Sequence, residues 1–224
     1  MKTNEMNGKL NNAGFSLVEL IVVVLLSTVV AFMIVGFIEA SRTTYQTVDT
    51  EAELQSESQA ATAMMREVVS CAKDGGWTSA AGTGGVAELG AAGVDLSSVG
   101  DNLGIFWMEG YDFFDYDENE ADRNYTMVYV FALDKSNVLR FASYKKDADI
   151  ADSGVISSTK LAGKIRNDLL DGSNSKYALL AEHVEGMIIK KSTSSEGSLF
   201  TITLNFDYRG SFDTSIKVLA RNMK

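Results

Sequence analysis

Apolar residues are concentrated in one long run near the start of the chain. Residues 15–38 read FSLVELIVVVLLSTVVAFMIVGFI. The members of this run outside the apolar set are Ser16, Glu19, Ser27, Thr28 and Gly36. As an α-helix rising about 1.5 Å per residue, the run is about 36 Å long. Because the hydrocarbon core of a bilayer is about 30 Å thick, we predict that residues 15–38 span a membrane.

A cleaved secretory signal is the alternative interpretation of this run. The apolar region of such a signal is about 7 to 15 residues long and ends at a small-residue cleavage site. The run here is longer, and Ile38-Glu39-Ala40 matches such a site poorly. We therefore favour a retained span.

The charges that flank the span predict its orientation. Lys2 and Lys9 precede it with one acid, Glu5, whereas the segment after it carries mostly acids. Lys and Arg favour the cytoplasmic side, so we expect the N-terminus inside and the large remainder outside.

The helical pattern continues beyond the span. Residues 39–72 contain neither Pro nor Gly. Apolar side chains recur there at helical spacing, namely Ala61, Met64, Met65, Val68 and Ala72. We predict one helix over about 15–72, whose second half is amphipathic and packs against a sheet.

Downstream the hydrophobic period changes to two. Residues 73–104 contain nine glycines and are predicted to form a loop. Phe200, Ile202, Leu204 and Phe206 alternate with polar residues, which indicates a strand with one buried face. Strands are predicted over 105–108, 125–133, 138–144, 183–190, 199–208 and 215–220, polar turns over 191–198 and 209–211, and a short helix over 161–170.

Composition narrows the functional classes. The net charge is −10, so a phosphate backbone would repel the chain and nucleic acid is not an expected partner. The single cysteine, Cys71, excludes an intramolecular disulfide and a zinc cluster of cysteines. The single histidine, His183, leaves little material for a catalytic triad. No proline is present, so the long helix lacks its strongest breaker.

One acid-rich segment has a partial metal-binding pattern. Asp112–Asp122 holds six acids, and its spacing starts like a calcium loop. Glu120 stands at the required glycine position and Thr126 at the position of the bidentate glutamate, so it is not an EF-hand. A solvated acidic loop is the favoured interpretation, and a surface calcium site is the alternative.

The start of the apolar run carries a motif. Gly14-Phe15-Ser16-Leu17-Val18-Glu19-Leu20, after a short hydrophilic leader, resembles the processing motif of type IV prepilins and pseudopilins. The resemblance implies cleavage between Gly14 and Phe15 and N-methylation of Phe15 by a prepilin peptidase/N-methyltransferase. It also implies that Glu19 pairs with the N-terminal amine of a neighbouring subunit during filament assembly. Ala13 departs from the family, since many members have Lys or Arg there.

The family likeness extends more weakly into the rest of the chain. Tyr125–Val130, Leu180–Met187 and Val218–Asn222 are similar to segments of J-type pseudopilins and W-type minor pilins. The implied fold is α+β, a pilin-like lollipop whose long N-terminal α-helix packs on a C-terminal antiparallel β-sheet domain. The implied division is a leader at 1–14, the transmembrane half of the helix at 15–38, its amphipathic half at 39–72 and an extracytoplasmic domain at 73–224.

The implied function is that of a structural subunit rather than an enzyme, with no catalytic residue, cofactor or metal. A minor pilin or pseudopilin is favoured, in a type IV pilus or in a secretion or competence pseudopilus. A major pilin is the alternative within the class, and a membrane-anchored extracellular enzyme is the alternative outside it. The implied partners are the peptidase, other pilins or pseudopilins, an assembly platform protein and the membrane. The implied location is the cell membrane and then an extracytoplasmic filament.

Overall fold

The first helix of the chain is continuous over 55 residues. In a computed structural model, which describes residues 16–79, 89, 92–98, 103–111, 127–170, 177–195, 197–208 and 211–220, helix α1 runs from Leu17 to Cys71. This confirms the predicted long helix. The chain divides into two compact units, one up to Asp49 and the other from Thr50 onward.

The second unit contains all the described strands and a second helix. Its described elements are β1 (Asp74–Ser79), β2 (Val94–Asp95), β3 (Leu103–Gly110), β4 (Met127–Asp134), β5 (Leu139–Lys145), β6 (Ala151–Asp152), β7 (Val155–Ile156), α2 (Ser158–Leu170), β8 (Ala178–Ala181), β9 (Val184–Ser194), β10 (Gly197–Asp207) and β11 (Ser211–Ala220). All strand pairs among the described residues are antiparallel. The α+β class is therefore confirmed, as is the short helix predicted over 161–170.

The strands form two larger sheets. The first sheet has the order β1-β3-β4-β5-β8, and the second has the order β11-β10-β9-β2. Strands β6 and β7 pair as a separate two-stranded hairpin. The sequence predicted antiparallel pairing but did not separate the strands into two sheets.

The main core lies between the last five turns of α1 and both sheets. The buried stripe of the helix includes Leu54, Ala61, Met65 and Val68. Both sheets pack aromatic and aliphatic side chains against this stripe. The ring centroids of Phe106 on the first sheet and Phe200 on the second are 6.3 Å apart. The amphipathic second half of the helix therefore has the sheet partner that its pattern predicted.

A second core lies on the opposite face of the first sheet. Successive residues of β3 and β4 alternate between the two cores, so all eight residues of β3 are buried. Helix α2 closes the second core with Leu161, Ala162 and Ile165. A sheet covered on both faces has apolar residues on both, which explains the unbroken apolar run in these strands.

The predicted loop over 73–104 is wrong at both of its ends. Strand β1 occupies part of it, and β3 begins there at Leu103. A Cβ atom on Gly75 would lie 2.3 Å from Sδ of Met108, and one on Gly76 would lie 3.0 Å from the ring of Trp107. These two glycines admit large side chains from the neighbouring strand, whereas in the sequence they indicated a turn.

The predicted polar turn over 191–198 is also mostly strand. Strand β9 continues to Ser194 and β10 starts at Gly197. The polar residues at these two ends pair with each other across the strands, for example Thr193 with Ser198. Strand β11 likewise begins at Ser211, four residues earlier than predicted. Residues 209 and 210 of the second predicted turn lie outside the described part of the chain. The short strands β2, β6, β7 and β8 were not predicted.

The passage from the first sheet to the second is a two-residue corner, Glu182-His183. The N–H of Glu182 donates to Oε2 of Glu57 on α1 at 2.8 Å. His183 has a φ of 59° and stacks on the ring of Tyr208, with centroids 4.0 Å apart. Its carbonyl accepts a hydrogen bond from the N–H of Asp207. His183 therefore shapes a corner and does not begin a strand as predicted.

Truncation of Met65, a buried residue of α1, should destabilise the fold. Met65 is fully buried, whereas its neighbour Met64 is only partly buried. We expect Met65→Ala to lower the free energy of unfolding by about 2 to 5 kcal/mol, because it leaves a cavity in the main core. Denaturant titration of the full chain in detergent would measure this. Met64→Ala is the matched control, and an equal loss in both variants would contradict the assigned burial.

The Glu57 corner should give a pH-dependent stability. Burial, followed by the charges of Glu182 and Glu53, raises the pKa of Glu57 above its ordinary value, although the hydrogen bond from Glu182 opposes the change. The folded state then binds this proton more tightly than the unfolded chain, so stability falls as the pH rises through the raised pKa.

We therefore expect Glu57→Gln to be more stable than the parent at pH 7, by a margin that shrinks as the medium is acidified. Glu57→Ala leaves the N–H of Glu182 without its acceptor and should lose about 0.5 to 1.5 kcal/mol. Thermal unfolding of both variants between pH 4 and 7 checks this. A Gln variant that is less stable than the parent at pH 7 would refute the assignment.

Candidate functional site

The described site begins at Ser16, because Gly14 and Phe15 lie outside the described residues. Ser16 is the N-cap of α1: its Oγ accepts from the N–H of Val18 at 3.4 Å, and its carbonyl accepts from the N–H of Leu20 at 3.2 Å. In return, the N–H of Ser16 donates to Oε2 of Glu19 at 3.0 Å. This reciprocal pattern is a variant of the capping box, in which the serine hydroxyl accepts from the second helical residue instead of the third. It satisfies backbone donors that the first turn of a helix leaves free.

Glu19 is held at the positive end of the helix dipole, where a carboxylate is favoured. One of its oxygens makes the capping contact, and a carboxylate has a second oxygen that can accept further hydrogen bonds. The Ser16 nitrogen remains a peptide amide after a cut between Gly14 and Phe15. The cap and an additional cationic partner for Glu19 are therefore chemically compatible.

The helix beyond Glu19 exposes its apolar side chains on every side. Every large apolar residue from Leu17 to Ile38 is between 47% and 76% exposed. The hydroxyls of Ser27 and Thr28 donate to the carbonyl of Val24, so they do not require water. By length and composition, α1 could cross a membrane. Within the described residues, nothing covers this surface.

The other residues with possible chemistry lie apart from this site. Cys71 is half-buried at the end of α1, beside the hydroxyl of Ser70. His183 is the corner residue described above. In the part of the chain that the structure describes, no group of His, Cys, Asp and Glu side chains could hold a metal ion. The acid-rich segment Asp112–Asp122 lies outside that part.

A polar cluster holds α2 on the first sheet. The hydroxyl of Tyr144 on β5 contacts the hydroxyl of Tyr177 and donates to Oδ2 of Asp168 at 3.1 Å. Burial and then the hydrogen bond to Tyr177 raise the pKa of Tyr144, and burial raises the pKa of Tyr177 to about 12. Both phenols thus stay protonated at neutral pH and act as hydrogen-bonding groups, not as bases.

A buried ion pair joins β3 to the residue that follows β5. Nζ of Lys146 lies 2.6 Å from Oε1 of Glu109, and the side chain of Glu109 is only 6% exposed. A buried carboxylate needs such a partner, because an unpaired charge in the interior is costly. This pair is accounted for by packing and adds no reactive group to the molecule.

Ser16 is the residue that sequence reasoning overlooked. Ser16-Leu17-Val18-Glu19 has the serine-x-x-glutamate pattern of a capping box directly before an apolar run. This spacing predicts a local role for Glu19 in addition to its intermolecular one.

One comparison with known proteins bears on this site. The family description "prokaryotic N-terminal methylation motif" matches residues 9–35. No curated protein and no solved structure matches the chain. The likeness to J-type and W-type subunits therefore stays a prediction. With a capped glutamate at the head of an exposed apolar helix, the chain carries the N-terminal methylation motif of the type IV prepilin and pseudopilin superfamily.

Proposed function

We propose that this chain is a prepilin-like structural subunit that is cut between Gly14 and Phe15 and methylated on the new amine of Phe15. It then assembles through its apolar helix into a type IV pilus, or into a secretion or competence pseudopilus. The observation that supports this best is the position of Glu19, in the first turn of a helix whose apolar surface is otherwise uncovered.

The proposed assembly step depends on the cost of a charge in an apolar bundle. A carboxylate at the centre of a span costs about 2.5 to 3.5 kcal/mol on insertion scales, and less towards the edge. Pairing Glu19 with the Phe15 amine of a neighbour would satisfy both charges when apolar helices surround them. Docking in the correct register is then favoured over other registers, because these leave both charges unpaired.

The orientation follows from the same helix. Lys2 and Lys9 precede it, and an acidic segment follows, so we place the N-terminus in the cytoplasm and the sheets outside. This single-pass arrangement would present the leader to a prepilin peptidase/N-methyltransferase and the rest to other pilins. The platform protein would contact the same membrane-embedded segment.

Within the superfamily we favour a minor pilin or pseudopilin. Gly36 stands where many major pilins carry a helix-breaking proline, and α1 passes through it without interruption. A Cβ atom added at Gly36 would meet nothing within 4 Å, so packing inside the chain does not require a glycine there. The superfamily motif favours a structural subunit over an enzyme.

Two substitutions at Glu19 separate its proposed roles. Glu19→Gln retains an oxygen that can accept from the N–H of Ser16 but loses the charge, whereas Glu19→Ala loses both. We expect both variants to be processed normally and to be strongly depleted from sheared filaments, measured by immunoblot against the membrane fraction. If Glu19→Gln assembled at the parental level, the charge-pairing role would be refuted.

The processing site gives a chemical test. Mass spectrometry of the mature protein should find N-methyl-Phe15 at its N-terminus. Gly14→Ala should hinder the cut and accumulate precursor, because the peptidase would meet a side chain at the cleavage position. Ala13→Gly, next to the site, is a control that should still be cut. An intact Met1 or a cut near Ala40 in the parent protein would overturn the proposal.

A further inference from the structure

Strand β11 forms one edge of the second sheet. It pairs with β10 on one side over all ten of its residues, without a shift in register. The order of the sheet is β11-β10-β9-β2, and within the described residues no other strand pairs with the far side of β11. The other edge strands of the two sheets are shorter, with six residues in β1, four in β8 and two in β2. The far side of β11, which we call the β11 edge, is therefore the longest free strand edge that the structure describes.

Strand register shows which backbone groups point to the β11 edge. In an antiparallel strand the N–H and C=O of one residue point to the same side, and successive residues alternate. The N–H of Asp207 donates to the carbonyl of His183, on the β9 side of β10. The even-numbered residues of β10 therefore point to β11, where they pair with even-numbered residues such as Ile216. The residues of β11 whose backbone groups point to the free edge are then the odd-numbered ones, namely Ser211, Asp213, Ser215, Lys217 and Leu219.

The backbone groups of the β11 edge determine what kind of molecule fits it. In the described part of the chain, no other element exchanges backbone hydrogen bonds with this edge. Its donors and acceptors repeat every two residues, or about 6.7 Å along the strand. An extended polypeptide has donors and acceptors at the same repeat, and the addition of such a segment to a sheet edge is a common mode of recognition.

The side chains on the outer face of β11 add a charge pattern. Natural edge strands are protected by proline, bulges, short length or lysine. Strand β11 has no proline, glycine or bulge, and its one lysine, Lys217, is exposed. Asp213 is exposed on the same face, four residues away. A strand with an acid opposite Lys217 and a base opposite Asp213 would be favoured, whereas like charges there would exclude it.

The inner face of β11 lies at the margin of the main core. Ile216 and Val218 are 7% and 5% exposed, and Phe212 is partly buried against the same core. A strand added at the β11 edge would place alternate side chains beside these three residues. Those side chains would be apolar, because they would extend the buried face of the sheet.

We propose that the β11 edge binds an extended segment of a different protein of the filament, which joins the four-stranded second sheet as an additional strand. The segment carries apolar residues towards the main core, and on its other face an acid opposite Lys217 and a base opposite Asp213. This inference rests on the proposed function, because assembly supplies the neighbouring protein. A minor subunit has unlike neighbours, so the segment belongs to another chain and not to a second copy of this one.

A proline at the β11 edge tests the contact without breaking the sheet. The N–H of Ser215 points outward, so Ser215→Pro removes a donor for the added strand and none of the bonds to β10. We expect this variant to be cut at the leader, to unfold close to the parental temperature in detergent, and to be strongly depleted from sheared filaments. Ser215→Ala is the matched control, since it loses the same hydroxyl contact with Thr203 but keeps the N–H, and it should assemble normally. Assembly of Ser215→Pro at the parental level would overturn the proposal.

A charge reversal tests the same edge without proline. Lys217→Glu would place an acid opposite the acid of the added strand, and like charges directly opposite each other are destabilising. We expect the full chain with this change to be folded and processed but depleted from filaments. Lys190→Glu is the control, because Lys190 is exposed on the same face but lies on β9, away from the edge. Equal incorporation of the two variants would overturn the proposal.

Hydrogen exchange of the parent chain tests which molecule occupies the edge. In the isolated full chain in detergent, we expect the amides of Asp213, Ser215 and Lys217 to exchange fast and those of Thr214 and Ile216 to exchange slowly. In filaments, the first three should slow to the rates of the other two. Fast exchange that persists in filaments would contradict the contact. Slowing that already appears in the isolated chain as its concentration rises would also overturn the proposal, because the occupant would then be a second copy.

The two proposals fail in distinguishable ways. A parent chain that carries N-methyl-Phe15 and enters filaments, but keeps fast exchange along the β11 edge, removes this contact and leaves the proposed function standing. A parent chain that is neither processed nor found in filaments removes the proposed function, and the contact with it.

Discussion

The fold of the second unit depends on one buried stripe of helix α1. From Leu54 to Ala72 this stripe meets side chains of two sheets at once, so helix and sheets share a single core. The inner faces of both sheets are buried in this core together with the helix. Residues such as Met65, Val69 and Ala72, which are completely inaccessible, are therefore fixed by both neighbours. Interiors are close-packed, so changes of volume there are poorly tolerated.

Within the described part of the chain, the same helix has no such partner over its first half. Its large apolar residues from Leu17 to Ile38 are exposed. Exposure of so large an apolar surface to water is unfavourable. A bilayer first and neighbouring helices later are environments that would cover it. The polar groups of this half are already satisfied locally, by the capping box at Ser16 and Glu19 and by the hydroxyl bonds of Ser27 and Thr28.

The role of a charged side chain in this molecule depends on how deeply it is buried. Buried charges are paired inside the chain, as in Lys146 and Glu109, and they secure packing. The carboxylate of Glu57 is half-buried. It accepts a hydrogen bond from the N–H of Glu182 at the corner between the sheets, and its burial raises its pKa. Other charged side chains, such as Asp49 and Glu53 of α1 and Lys190 and Lys217 of the second sheet, are exposed.

Features that depend on residues close together in the chain could be predicted from the sequence. The long helix, its apolar and amphipathic halves, the processing motif and the central parts of the strands all follow from short-range patterns. Three other features depend on long-range contacts. These are the strand β1, the division of the strands into two sheets, and the hydrogen bond from Glu182 to Glu57, 125 residues away. Gly75 shows the reason. A glycine indicates a turn locally, but here Met108 of the adjacent strand requires the space that its missing side chain leaves.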